Sequence, residues 1–319
     1  MQKRKALLAL MLILFLLAAC GPRGSSPTAA PPPEGPIAEG AATPTSIPAS
    51  PTADRPLAAR VNGQPVYLVD YERQVARYEA AMISSGVDLS TEEGQAQLLQ
   101  LRQEVLTGLI EQVLVEQAAA REGITVSDEE VEAALAQLIE EVGGEEAFQQ
   151  QLEQNGLTWE EVREGQRATM LYQKVFEWVT ASVPATAEHV HARHILVDTR
   201  EEAEQLLAQL QAGADFAELA RQYSQDESSR ETGGDLGWFP RGVLLATEVE
   251  EAAFRLQAGQ ISPVVQSPFG YHIIQVLERD PDRPLSPENL QLIKSRVFQE
   301  WLENLWAEAQ IERFVNLSP

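Results

Sequence analysis

The stretch "GYHIIQVLE" at residues 270–278 has the two-residue alternation of a β-strand, yet it carries a histidine on its apolar face. Side chains two apart in a strand share a face, so His272 points the same way as Ile274. The stretch "VHARHILV" at residues 190–197 repeats the pattern with His194. A single buried histidine is usually a core residue whose ring nitrogens are both hydrogen-bonded. Two of them in a chain with four histidines indicate a candidate site.

Residues 186–281, which contain both stretches, are predicted to form a small α+β domain. The expected elements are a strand at 189–197, a helix opened by the capping box "TREE" at 199–202, a helix at 215–223, an irregular stretch at 224–242, a helix opened by the capping box "TEVE" at 247–250, and strands near 261–266 and 270–277. Strands at both ends with helices between them favour an antiparallel sheet with surrounding helices.

Residues 57–183 are predicted to form a mostly α-helical domain. Its signals are an Asn-Gly turn in "VNGQPV", a helix from Asp70, a helix that ends at Gly123, and capping boxes at Ser127–Glu130 and Thr158–Glu161. An amphipathic helix at 286–310, capped by Ser286, is too apolar to stand alone in water. We therefore expect residues 284–319 to complete the helical domain, so that the α+β domain is inserted in it.

The N-terminus has the pattern of an export signal. "MQKRK" precedes a short apolar run that ends in "LAAC", which resembles the lipobox of bacterial lipoproteins. That resemblance implies a signal peptide at 1–19, a lipid on Cys20, and an extracytoplasmic protein anchored to the bacterial cell membrane. An ordinary signal with an incidental cysteine is the alternative. The Pro-, Ala-, Ser- and Thr-rich segment 20–56 is predicted to be a disordered tether.

Composition argues against several functions. The net charge of −24 disfavours nucleic acid as a partner. No cofactor is expected, and the helical domain shows no nucleophile with a base nearby and no metal-ligand spacing. A metal site at "HVHARH" is the weaker alternative, because His189 and His191 share one strand face and His194 takes the other. The sequence leaves open a dimer through the helical domain.

Residues 189–279 resemble the parvulin-type peptidyl-prolyl cis-trans isomerases. The motifs "ARHILV", "GADFAELARQYSQD", "GGDLGWF", "AAFRLQAGQIS" and "GYHIIQV" occur in that family's order and spacing. The lipobox, the helical module with "VNGQPV" and the late return helix are similar to PrsA-type and SurA-type foldases. The resemblance implies a parvulin domain inserted in a helical chaperone domain, isomerisation of X-Pro peptide bonds, and unfolded exported polypeptides as partners.

The resemblance also implies the site residues. The family's two histidines and its Cys or Asp position match His194, His272 and Asp226, and they are the implied catalytic residues. The implied substrate-binding residues are Leu236, Leu245, Val249, Ser267 and Phe269. Trp238 and Phe239 are read either as anchors of their loop, the favoured reading, or as substrate-facing residues.

One implied position departs from the family pattern. Val249 stands where active parvulins carry the aromatic residue that stacks on the substrate proline, which implies a shallower pocket and weak activity. The run from 240 to 254 is also one residue longer than usual, so Leu245 and Val249 are each open to misassignment by one. The alternative function is a non-catalytic holdase that uses the parvulin domain only to bind clients.

Overall fold

The computed structural model describes residues 55–316, which divide into two compact units. We call residues 55–178 with 302–316 the helical unit, and residues 179–301 the sheet unit. Cys20, the predicted leader and the predicted tether up to residue 54 lie outside the described residues. The last tether residue, Pro56, is described, and its carbonyl accepts a hydrogen bond from the backbone N–H of Leu68 at 2.9 Å. In the described range, no helix combines the length and apolar character that a bilayer crossing requires.

The elements follow one another along the chain with short connections. In chain order they are β1 (Leu57–Val61), β2 (Gln64–Tyr67), α1 (Leu68–Ser84), α2 (Glu92–Glu122), α3 (Asp128–Val142), α4 (Glu145–Asn155), α5 (Trp159–Thr180), β3 (Thr186–Val197), α6 (Arg200–Gln211), α7 (Phe216–Tyr223), α8 (Glu227–Arg230), β4 (Asp235–Pro240), α9 (Thr247–Arg255), β5 (Val265–Ser267), β6 (Gly270–Pro284), α10 (Pro287–Glu308) and β7 (Ile311–Arg313). The α+β class predicted from the sequence is confirmed.

The helical unit joins the two ends of the described chain. The strands β1 and β2 form an antiparallel hairpin around the Asn62-Gly63 turn, and β7 pairs with the other edge of β1. Their apolar face packs on α1 and α2, with Leu106 and Ile110 at the centre. Leu305 and Trp306 near the end of α10 pack against the same cluster. A second cluster joins α3, α4 and α5.

Most helix ends follow from local sequence. The capping box of Ser127 with Glu130 is present, and Thr158 and Glu161 form a second one. Gly123 ends α2 in a left-handed conformation. The helix expected from Asp70 instead begins at Leu68, so Asp70 lies inside its first turn. At that position its negative charge interacts favourably with the helix dipole, but its side chain does not cap the helix.

The sheet unit is a four-stranded antiparallel sheet in the order β4-β3-β6-β5, with a hydrophobic cluster on each face. One cluster lies under α6 and α7 and includes Ile195 and Ile273. The other lies under α9 and includes Val190, Ala192 and Ile274. The two longest strands, β3 and β6, are central neighbours, so side chains that alternate along them are sorted between the two clusters.

Two expectations for this unit are wrong. The stretch 224–242 is not wholly irregular, because it contains the short helix α8 and the strand β4. The "TEVE" box does not form, since Ala246 is the N-cap residue of α9 and makes no side-chain cap. The Glu250 side chain reaches the preceding loop instead.

Candidate active site

The two histidines that share apolar strand faces lie side by side on the central strands. His194 is on β3 and His272 on β6, where His194 pairs with Ile274 and His272 pairs with Leu196. The two side chains belong to the face that α9 covers, and the residues are only 7% and 2% exposed. Their rings stack at a centroid distance of 5.4 Å, with the two Nδ1 atoms 3.2 Å apart.

The outer nitrogens of both rings are also hydrogen-bonded. His194 Nε2 lies 2.8 Å from Asp226 Oδ2, and His272 Nε2 lies 2.7 Å from Ser267 Oγ. The structure therefore brings Ser267, His272, His194 and Asp226 into one continuous chain of hydrogen bonds. All four are residues that the resemblance implied.

Asp226 fixes one end of this chain as an acceptor. Burial alone would raise the pKa of Asp226, but hydrogen bonds from Ser228, Ser229 and His194 hold that pKa well below its usual value. An ionised carboxylate only accepts hydrogen bonds, so His194 Nε2 carries the proton that it shares with Asp226. The charge of the site at neutral pH is therefore negative at the Asp226 end.

The remaining protons follow when both rings are neutral. A neutral His194 with its proton on Nε2 accepts at Nδ1, so His272 donates from its own Nδ1. His272 Nε2 then accepts the hydrogen bond of the Ser267 hydroxyl. Burial is the largest cause that lowers the pKa of His272 to about 4, and it keeps this ring neutral at physiological pH.

The loop that carries Asp226 is fastened directly to β3. Asp226 is the N-cap residue of α8, and its Oδ1 accepts from the backbone N–H of Ser228 at 3.1 Å. The buried Ser224 hydroxyl accepts from the backbone N–H groups of Leu196 and Asp226. Sequence reasoning missed the roles of Ser224 and Ser229, although the density of hydroxyl and carboxyl groups in "SQDESS" is a signal for a hydrogen-bonded turn.

Gly234, the residue just before β4, lets the backbone approach that of His194 closely. Its carbonyl accepts from the backbone N–H of His194 at 2.8 Å, and its φ is +82°. A Cβ atom at this position would stand 2.0 Å from the His194 carbonyl oxygen. The motif "GGDLGWF" thus needs glycine here because no side chain fits between the two backbones.

The implied substrate-binding residues differ in their placement. Leu236 is half-buried against the cluster under α9, and Val249 lies inside that cluster at 2% exposure. Leu245 is 91% exposed, while its neighbour Leu244 packs against the cluster. This is the one-residue ambiguity that the longer run from 240 to 254 implies. Leu244, and not Leu245, packs in the cluster that contains Val249.

Ser267 and Phe269 lie on the β5–β6 hairpin. The Ser267 hydroxyl contacts His272 and accepts from the backbone N–H of Phe269 at 3.0 Å. The Phe269 side chain is 56% exposed, so an apolar ring stands free at the edge of the site. An exposed phenylalanine beside a buried polar network is suited to contact an apolar ligand such as proline.

The alternative sites find no support in the described residues. His189 Nδ1 contacts the Ala187 carbonyl and His191 Nε2 contacts Asp235, so neither is directed at His194. Within residues 55–316, no group of three or more His, Cys, Asp or Glu side chains could hold a metal ion. Phe239 is buried in the core, and Trp238 lies against His191. Both therefore anchor β4, in agreement with the favoured reading.

The arrangement does not have the geometry of covalent catalysis. Ser267 contacts a histidine, as in a Ser-His-Asp triad, but the Asp226 carboxylate bonds to the second ring and not to His272. A carboxylate that stabilises a developing imidazolium must contact the same ring that accepts the proton. The four groups instead form a hydrogen-bonded chain of fixed polarity that ends in the ionised Asp226 carboxylate.

Two family models match the chain. The description "PPIC-type PPIase domain" matches residues 179–280, and "SurA-like N-terminal domain" matches residues 43–176. The first range contains the whole hydrogen-bonded chain from Ser267 to Asp226. The chain therefore carries a PPIC-type domain and a SurA-like N-terminal domain, the two domain types that the resemblance implied.

Similar proteins occur among curated relatives and among solved structures. A foldase protein PrsA of Geobacillus is 40% identical over 126 residues, and this match covers 40% of the chain and 45% of that relative. The match thus spans less than half of the relative's length. A crystal structure of peptidylprolyl isomerase (PrsA) from Bacillus anthracis is 31% identical, with a TM-score of 0.45, and covers 63% of this chain and 94% of that one.

A longer match covers most of both proteins. The foldase protein PrsA of Caldanaerobacter subterraneus subsp. tengcongensis is 31% identical over 282 residues, which are 80% of this chain and 86% of that protein. The match extends across both the helical region and the sheet unit that holds the histidine pair. On this similarity, the chain belongs to the PrsA foldase family.

Proposed function

We propose that this protein catalyses the cis-trans isomerisation of X-Pro peptide bonds and so assists the folding of exported polypeptides. The observation that carries the proposal is the buried chain from Ser267 through His272 and His194 to Asp226. It combines fixed polar groups with an apolar surround and contains no activated nucleophile. Those are the needs of a reaction that breaks no covalent σ bond.

The proposed mechanism follows from the energy barrier to rotation about the peptide bond before proline. Rotation about a peptide C–N bond costs about 18–20 kcal/mol because amide conjugation is lost, and the uncatalysed step takes tens of seconds or longer. A catalyst must favour the twisted amide over the planar one. The twisted amide is less polar, so it gains from a site that excludes water. His194 and His272 would form the floor beneath the proline ring.

Asp226 and Ser267 would set the polarity of that floor. Asp226 holds the His194 proton on Nε2, and this arrangement determines which nitrogen of each ring accepts a hydrogen bond. The ionised Asp226 carboxylate would also bias the electrostatic field at the rotating carbonyl. Phe269 and Leu244 would enclose the proline ring from the rim.

A second function is favoured by one observation. Val249, which stands where active parvulins carry an aromatic residue, is a valine buried among core side chains at 2% exposure. A shallow pocket would hold proline weakly and give low activity. The alternative is therefore a holdase, in which the sheet unit binds clients without isomerising them and the helical unit shelters unfolded chains.

We also propose that the protein is exported and anchored to the bacterial cell membrane by a lipid on Cys20. The basic start, the apolar run and the "LAAC" motif support this, together with Cys20 being the only cysteine. Mass spectrometry of the cellular protein should find an acyl-modified Cys20. Release of a Cys20→Ser variant from the membrane fraction is expected, and an unmodified Cys20 would contradict the anchor.

A refolding assay separates the two functions. The client is a protein whose slow refolding phase is limited by an X-Pro bond, and a second client reports suppression of aggregation. An isomerase accelerates the slow phase, and His194→Ala abolishes that acceleration while aggregation is still suppressed. Suppression without acceleration by the wild type would favour the holdase. Neither effect would contradict both functions.

A further inference from the structure

Glu250 is a buried carboxylate that the histidine network does not use. The residue lies on α9 and is 8% exposed. Its two oxygens accept three hydrogen bonds from consecutive backbone N–H groups, those of Gly242 at 2.8 Å, Val243 at 3.1 Å and Leu244 at 3.2 Å. Consecutive N–H groups that converge in this way form an anion-binding concavity, which here is filled by a side chain of the same unit.

The carboxylate acts on the loop and not on its own helix. The spacing of Thr247 and Glu250 predicts a capping box, in which Glu250 would accept from the N-cap backbone. Ala246 takes the N-cap position without a side-chain cap, and Glu250 points away to the loop at 242–244. Hydrogen bonds to a buried charged acceptor are among the stronger ones in proteins, so the loop conformation depends on this residue.

A second contact ties the same loop to the same helix. The Arg241 guanidinium lies 4.1 Å from the centroid of the Phe254 ring. Glu250 and Phe254 are four residues apart and thus share one face of α9. Gly242 between the two anchors has a φ of +86°, which allows the sharp turn that aims its N–H at the carboxylate.

The anchored loop leads into the wall of the candidate site. Leu244, the last residue bound by Glu250, packs on the cluster that contains Val249 and Ile274. Leu245 follows at 91% exposure. Ile274 is on the same strand face as His272, so this cluster adjoins the histidine pair. The three bonds to Glu250 therefore hold the loop that places Leu244 in this cluster.

We propose that Glu250 is a positioning residue that holds the loop at 242–244 on α9 and thereby places Leu244 in the wall of the proline-binding site. The role is to fix affinity for an apolar X-Pro segment, and it leaves the hydrogen-bonded chain at His194 and His272 unchanged. This inference rests on the proposed binding of X-Pro segments at that site.

The test replaces the carboxylate by an amide in the full-length protein. Glu250→Gln keeps one oxygen and puts an NH₂ group against backbone N–H donors, so at least one of the three bonds is lost. Glu251→Gln is the matched control, because Glu251 is an exposed carboxylate on the same helix that pairs with Arg255. Both variants are compared with the wild type by melting temperature, amide hydrogen exchange and titration with an Ala-Pro peptide.

The expected result is local. In Glu250→Gln, exchange of the 242–244 amides rises at least tenfold, and the dissociation constant and KM for the peptide rise at least fivefold. The kcat stays within twofold of the wild type, and Glu251→Gln matches the wild type throughout. A purely structural role would lower the melting temperature without this split between KM and kcat.

Several results would overturn the inference. Unchanged exchange at 242–244, or faster exchange with unchanged peptide affinity, would remove the positioning role. If Glu250→Gln does not fold, Glu250→Asp replaces it, and two unfolded variants would make Glu250 a folding residue only. A wild type that binds the peptide without isomerising it would contradict the proposed catalysis, while the affinity comparison would still decide the role of Glu250. A wild type that does not bind the peptide would contradict both the proposed function and the role of Glu250.

Discussion

At the scale of single residues, the site depends on two histidines that are buried without losing their hydrogen bonds. Strand alternation was sufficient to predict that His194 and His272 face apolar neighbours. It could not predict that Ser267 and Ser229 complete the network, because those bonds depend on how two loops fold back on the sheet. The partner of an imidazole is a tertiary property, whereas the face it occupies is a local one.

Burial of His272 predicts a pH dependence of stability. Its pKa is lowered from 6.5 to about 4 in the folded protein. Between these two pH values His272 is protonated in the unfolded chain and neutral in the folded protein. The free energy of unfolding therefore falls as the pH falls from about 6.5 to about 4. The loss is about 3 kcal/mol in all. Urea titrations from pH 7.5 to 4 measure it.

The control for this prediction is His272→Gln, which removes the titrating group. The variant should lose most of the pH dependence in that window. The window lies above the pH at which Asp226 titrates, because hydrogen bonds hold the pKa of Asp226 well below its usual value. An unchanged slope in His272→Gln would mean that His272 is not the group responsible.

The placement of Val249 predicts the outcome of restoring an aromatic residue. Val249→Phe adds a ring at a side chain that is 2% exposed and enclosed by Val190, Ala253 and Phe254. Overpacking of this kind costs about 1–3 kcal/mol. We expect a lower melting temperature and no gain in peptide affinity. A variant of unchanged stability that binds the peptide more tightly would show that the pocket is open at this position.

At the scale of elements, the sequence predicts some helix caps correctly and others wrongly. The boxes at Ser127 and Thr158 form as predicted, since their partners are three residues away on the same helix. The box at Thr247 fails because a nearby loop offers Glu250 three donors instead of one. The strands β4 and β7 are missed because their pairing partners, β3 and β1, are distant in the sequence.

Glu161 tests the strength of a predicted cap. It accepts from the backbone N–H of Thr158 and also pairs with Arg77 at 2.6 Å. Burial would raise the pKa of Glu161, but these bonds lower it to about 2. Glu161→Gln should therefore destabilise α5 by about 2 kcal/mol at pH 7. Amide hydrogen exchange in the first turns of α5 measures this loss.

The pH dependence of that loss has a defined direction. The stabilisation by ionised Glu161 is complete above its unfolded pKa of 4.5 and disappears as pH falls through about 2. The difference between the wild type and Glu161→Gln should shrink over the same range. Glu160→Gln, at the neighbouring exposed position, is the control. A difference that persists at pH 2 would assign the effect to shape and not to charge.

At the scale of the whole molecule, the chain is acidic and its candidate site also lies near acidic side chains. The net charge is −24. Near His272, the negative charges of Asp226 and Glu248 act to raise its pKa, although the larger effect of burial lowers it. Composition alone predicts the sign of the surface charge. It does not predict that two of the acidic side chains lie near the histidines, since that depends on where α8 and α9 begin.

The negative field predicts a preference among clients. Peptides with lysine before proline should have about threefold higher kcat/KM than those with glutamate at low salt, because unit charges several ångströms apart in water interact by about 0.5–1 kcal/mol. The ratio should approach one at 0.5 M salt. Glu248→Gln should reduce it at low salt. A preference for glutamate would contradict this account of the site.

The central claim is that the histidine pair isomerises X-Pro bonds, and exchange NMR on a short Ala-Pro peptide tests it most directly. The cis-trans rate is measured without protein and with catalytic amounts of full-length wild type, His272→Ala and His191→Ala. His191 is the matched control, since it lies on β3 and contacts Asp235 instead of the pair. We predict acceleration by the wild type and His191→Ala, and loss of most of it in His272→Ala. No acceleration by folded wild type, or equal acceleration by His272→Ala, would contradict the claim.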